Sequence, residues 1–336
     1  MTQTLDEISI ILIYSAMAVY ALAFIAFALD LARRSSTVKR AVAAESKVPA
    51  AVGAGGGGAS SGAPGASADD AELVSLAGVD SAGKRSIALR LGVSFTILGF
   101  VIQLGGVILR GIAASRVPWA NMYEFSITGT LLIVAVFLVV LIRQDMRFLG
   151  TFVTGLVLIL LGISTLQYYV TVAPLPPALQ SAWLVIHVLV AILGTAFFAL
   201  GGALSVIQLL QTKGDSVSRL ATVLRLRFLK TLPDAETLER QAYRVNIVGF
   251  VFWTFTLIAG AIWSERAWGR YWGWDTKEVW TFIIWVIYAG YIHARATRGW
   301  RGSRSAWLAI VGFAAVLFNF GVVNVFFKGL HAYSGL

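Results

Sequence analysis

The sequence contains no cysteine and only three histidines, and charged residues occupy 13% of its 336 positions. Without cysteine the chain can form no disulfide and offers no thiolate to a metal or a redox reaction, so any thiol chemistry belongs to a partner. The charge content is about half of the roughly 25% usual in soluble domains, which excludes an ordinary soluble fold. Acidic residues are scarce as well, 17 against 27 Lys and Arg, for a net charge of +10. That excess does not call for nucleic acid, because a protein that crosses a membrane gathers Lys and Arg on its cytoplasmic loops for topological reasons.

What is abundant is apolar length. Hydrophobic residues make up 58% of the chain and mean hydropathy is +0.78. Runs long enough to cross a hydrocarbon core about 30 Å thick recur at 8–29, 91–109, 125–142, 148–170, 181–211, 245–264, 279–294 and 306–327. They predict an all-α polytopic membrane protein of about eight transmembrane helices. Asp6 and Glu7 precede the first run and Arg33 and Arg34 follow it, the reverse of a cleavable signal peptide. Residues 1–34 are therefore expected to be a retained helix with its N-terminus outside. From 35 to 86 the composition shifts to Ala, Gly and Ser, including AVGAGGGGASSGAPGASA at 51–68, too poor in apolar side chains to offset ordering entropy. This segment is expected to be a flexible cytoplasmic linker, followed by a seven-helix core at 87–336. Eight spans return the C-terminus outside, and with that layout 21 of the Lys and Arg fall inside and 6 outside, as the positive-inside rule requires.

Tryptophan is unevenly spread. The outer loop at 263–280, WSERAWGRYWGWDTKEVW, together with Trp285 holds six of the 11 tryptophans. A membrane-interface belt accounts for a lone residue such as Trp307, but it scatters indoles around a bundle. Here Trp268, Trp272 and Trp274 are crowded around Gly269 and Gly273, which permit close backbone approach, an arrangement suited to a flat aromatic ligand. The histidines bear on the same question, since an ionisable side chain in or near the bilayer is costly and usually functional. His187 follows Ser181 by six residues, about 9 Å into a helix that starts at the outer surface. His331 falls at the outer end of the last helix. Neutral imidazoles from two helices are a common way to hold haem iron; the competing reading is a structural hydrogen bond for each. His293 lies 13 residues beyond Trp280, about 20 Å deeper, too far to share an iron with the outer pair.

The segment WGRYWGWDTKEVWTFIIWVIYAGYIHARATRGWRG at 268–302 resembles the "WWD" signature of the haem-handling proteins of cytochrome c maturation. Its Lys277, Glu278 and His293 context is similar to the CcsA (ResC) branch of the System II cytochrome c synthase. VPWANMYEFS at 117–126, PPALQSAWLVIHV at 176–188 and GLHAYSG at 329–335 resemble that branch in the same order, so the likeness covers about 90–336. It implies that haem b is ligand and substrate and that His187 and His331 are its external axial ligands. Trp268, Tyr271, Trp272, Trp274, Asp275 and Trp280 would belong to the WWD site. His293 would ligate an inner haem, with the second ligand from a CcsB (ResB)-like membrane subunit. Apocytochrome c with a CXXCH motif and a thiol-reducing thioredoxin-like protein are the other implied partners. The implied location is the cytoplasmic membrane, with the WWD site on its extracytoplasmic side. The implied activity is that of a subunit of a haem-lyase-type synthase; a haem exporter without synthase activity and a bis-histidine cytochrome b are the alternatives.

Other polar residues stay open at this level. Asp275, Lys277 and Glu278 precede a helix, where an acidic group is equally a cap, an ion-pair member or a ligand contact. Arg266, Arg270 and Lys277 suit haem propionates or lipid headgroups. Asn121 and Glu124, beside Trp119 and Tyr123, are placed in the same vestibule by family pattern alone.

Overall fold

The computed structural model describes residues 2–45, 87–175, 179–216, 232–297, 299–327 and 329–331, and among them the secondary structure is entirely helical. The helices are α1 (Thr2–Glu45), α2 (Ile87–Ala114), α3 (Met122–Arg143), α4 (Gly150–Gln167), α5 (Ala182–Ser216), α6 (Ala235–Trp268), α7 (Thr276–Thr297) and α8 (Ser303–Phe318). A 3₁₀ turn at Arg147–Leu149 leads into α4, and α8 continues through a π turn at Asn319–Val323 to Asn324–Phe326. Each of the eight predicted apolar runs lies on one of these helices. Seven are long and apolar enough to cross a membrane; α7 is long enough but carries Lys277, Glu278, His293 and Arg295 among its aromatics. The chain is a multi-pass membrane protein. Large apolar side chains such as Ile11, Val101, Ile142 and Phe255 face outward, as lipid contact requires.

The N-terminal pair is built by interlocking side chains. On α2, Gly92, Gly99 and Gly106 repeat every seven residues and lie under Phe27, Tyr20 and Ile13 of the antiparallel α1. A methyl group added at these glycines would stand 2.8 Å from Phe27, 2.7 Å from Tyr20 and 3.0 Å from Ile13. Small residues let membrane helices approach closely where water supplies no drive for association. The Tyr20 hydroxyl donates to Gln103 Oε1 at 2.8 Å, and Gln103 Nε2 donates to the Ile127 carbonyl and to Thr130 Oγ1, both at 2.9 Å. One buried polar chain thus joins α1, α2 and α3.

Near the ends of those helices that adjoin the N-terminus of α1 lies a buried charge cluster. Arg110 of α2 pairs with Asp6 of α1 and, at 3.1 Å, with Glu124 of α3, while Arg116 reaches Glu124 from the α2–α3 loop. Tyr169 donates to Asp6 at 3.1 Å, and Arg110 donates to the Val170 carbonyl at 2.7 Å. Two guanidinium groups meet two carboxylates, so the burial is charge-neutral, which is how such groups are tolerated away from water.

The α1 backbone stays helical to Glu45, into the segment predicted as a linker, and 46–86 lies outside the described residues. The remaining core is formed where α5 packs along α6 and α8, with Phe198, Trp253, Tyr288 and Tyr291 in one buried aromatic cluster.

Candidate functional site

Helix α6 ends at Gly269, whose left-handed φ of 71° is a conformation glycine adopts freely. The chain then crosses to α7 through Arg270–Asp275. Trp274, in this crossing, has φ 58° and is 75% exposed. A bulky residue in that region is strained, and such strain collects at functional sites. The start of α7 is tied to the loop by Glu278, whose Oε2 accepts from the N–H groups of Gly273 at 2.8 Å and Asp275 at 3.1 Å. Asp275 holds the N-cap position, but its carboxylate is turned to His331.

Beneath this crossing lies a cavity of about 230 Å³ between α3, α5, α6 and the facing ends of α7 and α8; His187, His331, Trp263, Tyr271, Trp272 and Lys277 are among its walls. His187 projects from the second turn of α5, and its Nδ1 is 3.0 Å from the Thr256 carbonyl. The His331 Nδ1 is 2.6 Å from Asp275 Oδ2, and its backbone N–H donates to the same oxygen at 3.3 Å. The hydrogen bond from the His331 ring holds the Asp275 carboxyl below the usual carboxylate range, against the opposing effect of burial. A carbonyl and a carboxylate only accept. Each Nδ1 therefore carries its proton, and in the neutral ring the Nε2 then presents the lone pair.

One indole touches both imidazoles. Trp263, 2% exposed, is stacked on His187 at 5.7 Å and meets His331 edge-on at 5.5 Å. Trp268 backs the arrangement, 4.7 Å from Trp263 and 4.8 Å from His331.

The sequence-predicted residues separate into groups. His187, His331, Tyr271, Trp272 and Asn121 line the cavity; Asn121 also caps α3 by accepting from the Glu124 N–H at 2.9 Å. Asp275 and Trp268 stand directly behind His331. Trp274 faces outward, with its ring edge-on to Trp272 at 5.8 Å. Trp280 packs on Phe318 at 4.4 Å, in the seam between α7 and α8. Glu124 is fully buried in the cluster with Arg110 and Arg116 and is not part of the cavity wall. His293 is exposed on α7, away from the cavity, while Tyr291 two residues earlier is buried. Arg266 lies over the Trp183 ring at 6.0 Å, and Arg270 folds across Gly273. Trp263, Gly260 and Thr256, which set His187, were not singled out from sequence. Their spacing along α6, 256–260–263, is one face of a helix, and that face points at the loop's own cavity.

The family model for "Cytochrome C assembly protein" matches residues 119–331, from Trp119 at the cavity rim to His331. A "Cytochrome c biogenesis protein CcsA" of Guillardia theta is 36% identical over 264 residues, covering 73% of this chain and 86% of the relative. The chain belongs to the CcsA family of cytochrome c biogenesis proteins. The Microcystis aeruginosa CcsA is 33% identical over 284 residues, covering 72% of this chain and 86% of that one. Among solved structures, one titled "Cytochrome c Heme Lyase CcmF" superposes with a TM-score of 0.60 at 14% identity. It covers 94% of this chain, which spans 46% of that structure's length; the shared feature is the fold. As a CcsA-family protein the chain serves cytochrome c maturation, and its family-matched region contains both cavity histidines and the complete tryptophan loop.

Proposed function

We propose that this CcsA-family subunit holds haem b between His187 and His331 and presents it at the tryptophan loop for covalent attachment to apocytochrome c. The observation that carries the reading is the matched pair of imidazoles, each with Nδ1 tied to an acceptor and Nε2 left for iron. Metal-bound histidines are commonly fixed this way, because the second hydrogen bond sets tautomer and ring direction. The cavity wall suits a porphyrin: indoles for its faces and a largely apolar lining for its macrocycle.

The protein's part in the chemistry is positioning. Two cysteine thiols of a CXXCH segment add across the haem vinyl groups. Each sulfur forms a C–S bond and the remaining vinyl carbon takes the proton. The thiols must arrive reduced, which assigns a place to a thioredoxin-like partner, and this cysteine-free chain cannot divert them into mixed disulfides. Exposed His293 on α7 is available to a second membrane subunit of the CcsB type, as a ligand for haem on its way from the inner side. The loop and cavity are placed on the extracytoplasmic side of the cytoplasmic membrane, and 35–86 serves as a cytoplasmic tether.

The test is reconstitution of the purified chain with its CcsB-like partner, haem, a CXXCH peptide and a thiol reductant. Thioether-linked haem on the peptide, lost when both cavity histidines are replaced, is the expected result. Haem binding without covalent product would make the protein a haem carrier. No haem binding would remove the reading.

A further inference from the structure

Lys277 is the second residue of α7, yet its ammonium group turns inward to the cavity wall. It donates to the Asn319 carbonyl at 3.0 Å and to Asn324 Oδ1 at 2.6 Å. Both are neutral acceptors. Among the described residues it forms no ion pair: Asp275 is engaged by His331, and Glu278 Oε2 by the backbone of Gly273 and Asp275. An ammonium has three N–H groups, and two are used here. Lys277 is half-buried, and a partly desolvated cation whose direct partners are all neutral oxygens gains when an anion completes its shell.

The acceptors come from an irregular part of α8. Asn319 begins the π turn Asn319–Val323, and Asn324 follows it. Widened turns of this kind gather at functional sites. Phe320, in the same turn, stacks on Phe125 of α3 at 5.0 Å, and both rings line the cavity. The π turn thus brings a carbonyl and an amide to Lys277 and an aromatic ring to the opposite wall, where a regular helix would direct these groups differently. Neither arginine of the loop is placed to compete: Arg266 is exposed over Trp183, and Arg270 lies over Gly273.

We infer that Lys277 is a carboxylate anchor, its third N–H taking a propionate of the haem held by His187 and His331. The inference rests on the haem reading above. It also orients the ligand. Propionates and vinyls lie on opposite sides of the macrocycle, so anchoring the propionate edge at the α7–α8 wall turns the reactive vinyl edge away from that wall.

The experiment compares haem with its propionate dimethyl ester, which keeps iron, vinyls and size but has no negative carboxylates. Both are titrated by absorption into the full-length purified chain and into Lys277→Gln and Lys277→Arg. Glutamine can keep a bond to Asn319 or Asn324 without the charge. In the native chain haem should bind about tenfold or more tighter than the diester, the worth of one charge-assisted hydrogen bond. Lys277→Gln should bind both alike, and Lys277→Arg should restore the preference. Equal binding of haem and diester by the native chain, or a preference that survives in Lys277→Gln, would overturn the anchor. Equal binding by the native chain overturns the anchor even if no variant folds, and Lys277→Met, of similar length and without charge, is the second variant should Lys277→Gln not fold. Loss of the haem reading is separately visible, as an absorption spectrum that does not respond to removal of His187 or His331.

Discussion

The imidazole of His187 lies within 14° of parallel to the indole of Trp263, and the helix that carries Trp263 also supplies the carbonyl that fixes the histidine's tautomer. A single helix face therefore sets where His187 sits, which way it points and which nitrogen is free. His331 meets the same indole edge-on from a different part of the chain, oriented by Asp275.

Replacing either His187 or His331 by Gly should abolish the spectrum of six-coordinate haem and lower cytochrome c maturation. Added imidazole should restore part of both by filling the vacated position. Normal maturation in either variant would reject that residue as a ligand.

Asp275→Asn keeps the shape but removes the charge that orders the His331 ring. Loss of a partner behind a metal ligand typically costs about 10- to 100-fold in affinity or activity. A loss in that range is expected in haem titration, with the Asp275→Ala variant at least as weak. Native affinity in both would make the 2.6 Å contact incidental.

Gly260 gives His187 its space, since a methyl group there would stand 2.8 Å from the imidazole Cε1. Gly260→Ala should displace the ring, shifting the haem absorption bands and weakening binding while the bundle stays folded. Gly290→Ala, at a position with open space around it, is the control and should leave both unchanged.

Glu124→Gln should act on stability. It leaves Arg110 and Arg116 short of one negative charge in a buried cluster, and breaking a buried pair typically costs about 3–5 kcal/mol. A large drop in the thermal midpoint in detergent is expected. Protein that remains folded should keep its haem spectrum, because Glu124 is not part of the cavity wall. An unchanged midpoint would show that the cluster is not what joins α1, α2 and α3.

The sidedness of the site can be read by thiol labelling, because the chain has no native cysteine. Gln180→Cys, Arg266→Cys and Ser303→Cys each place one thiol at an exposed position. A membrane-impermeant reagent applied to intact cells should label the first two and spare the third. Ser264, at the start of the loop, would be a poor reporter, being buried with its hydroxyl on the Arg270 carbonyl at 2.8 Å. Labelling at 303 with protection at 180 and 266 would place the cavity on the wrong side for an external client.

Much of the architecture was legible along the chain. Membrane helices satisfy their own backbone, so apolar length alone locates them, and all eight runs lie on helices. That His187, His331 and part of the tryptophan loop come to one cavity was legible too, because dense indoles and ionisable groups near a bilayer are conspicuous against an apolar background. Composition was a poor guide to α7, where polar and aromatic residues dilute the apolar signal. It also missed Trp263, whose role depends on what lies across from it rather than on its neighbours in sequence.

Composition and order by themselves determined that the chain is a helical membrane protein, that its lysines and arginines partition unequally between loops, and that aromatic and imidazole side chains concentrate toward one end. Only the tertiary structure decided how these residues are used. It turned Asp275 from a helix cap into the partner of His331, drew Glu124 into the arginine cluster, and aimed Lys277 inward at a π turn. The reason is physical: a carboxylate or ammonium near a helix end has several satisfactory partners of nearly equal local energy. Which one it takes is settled by the groups that packing brings within about 3 Å, from helices distant in the chain.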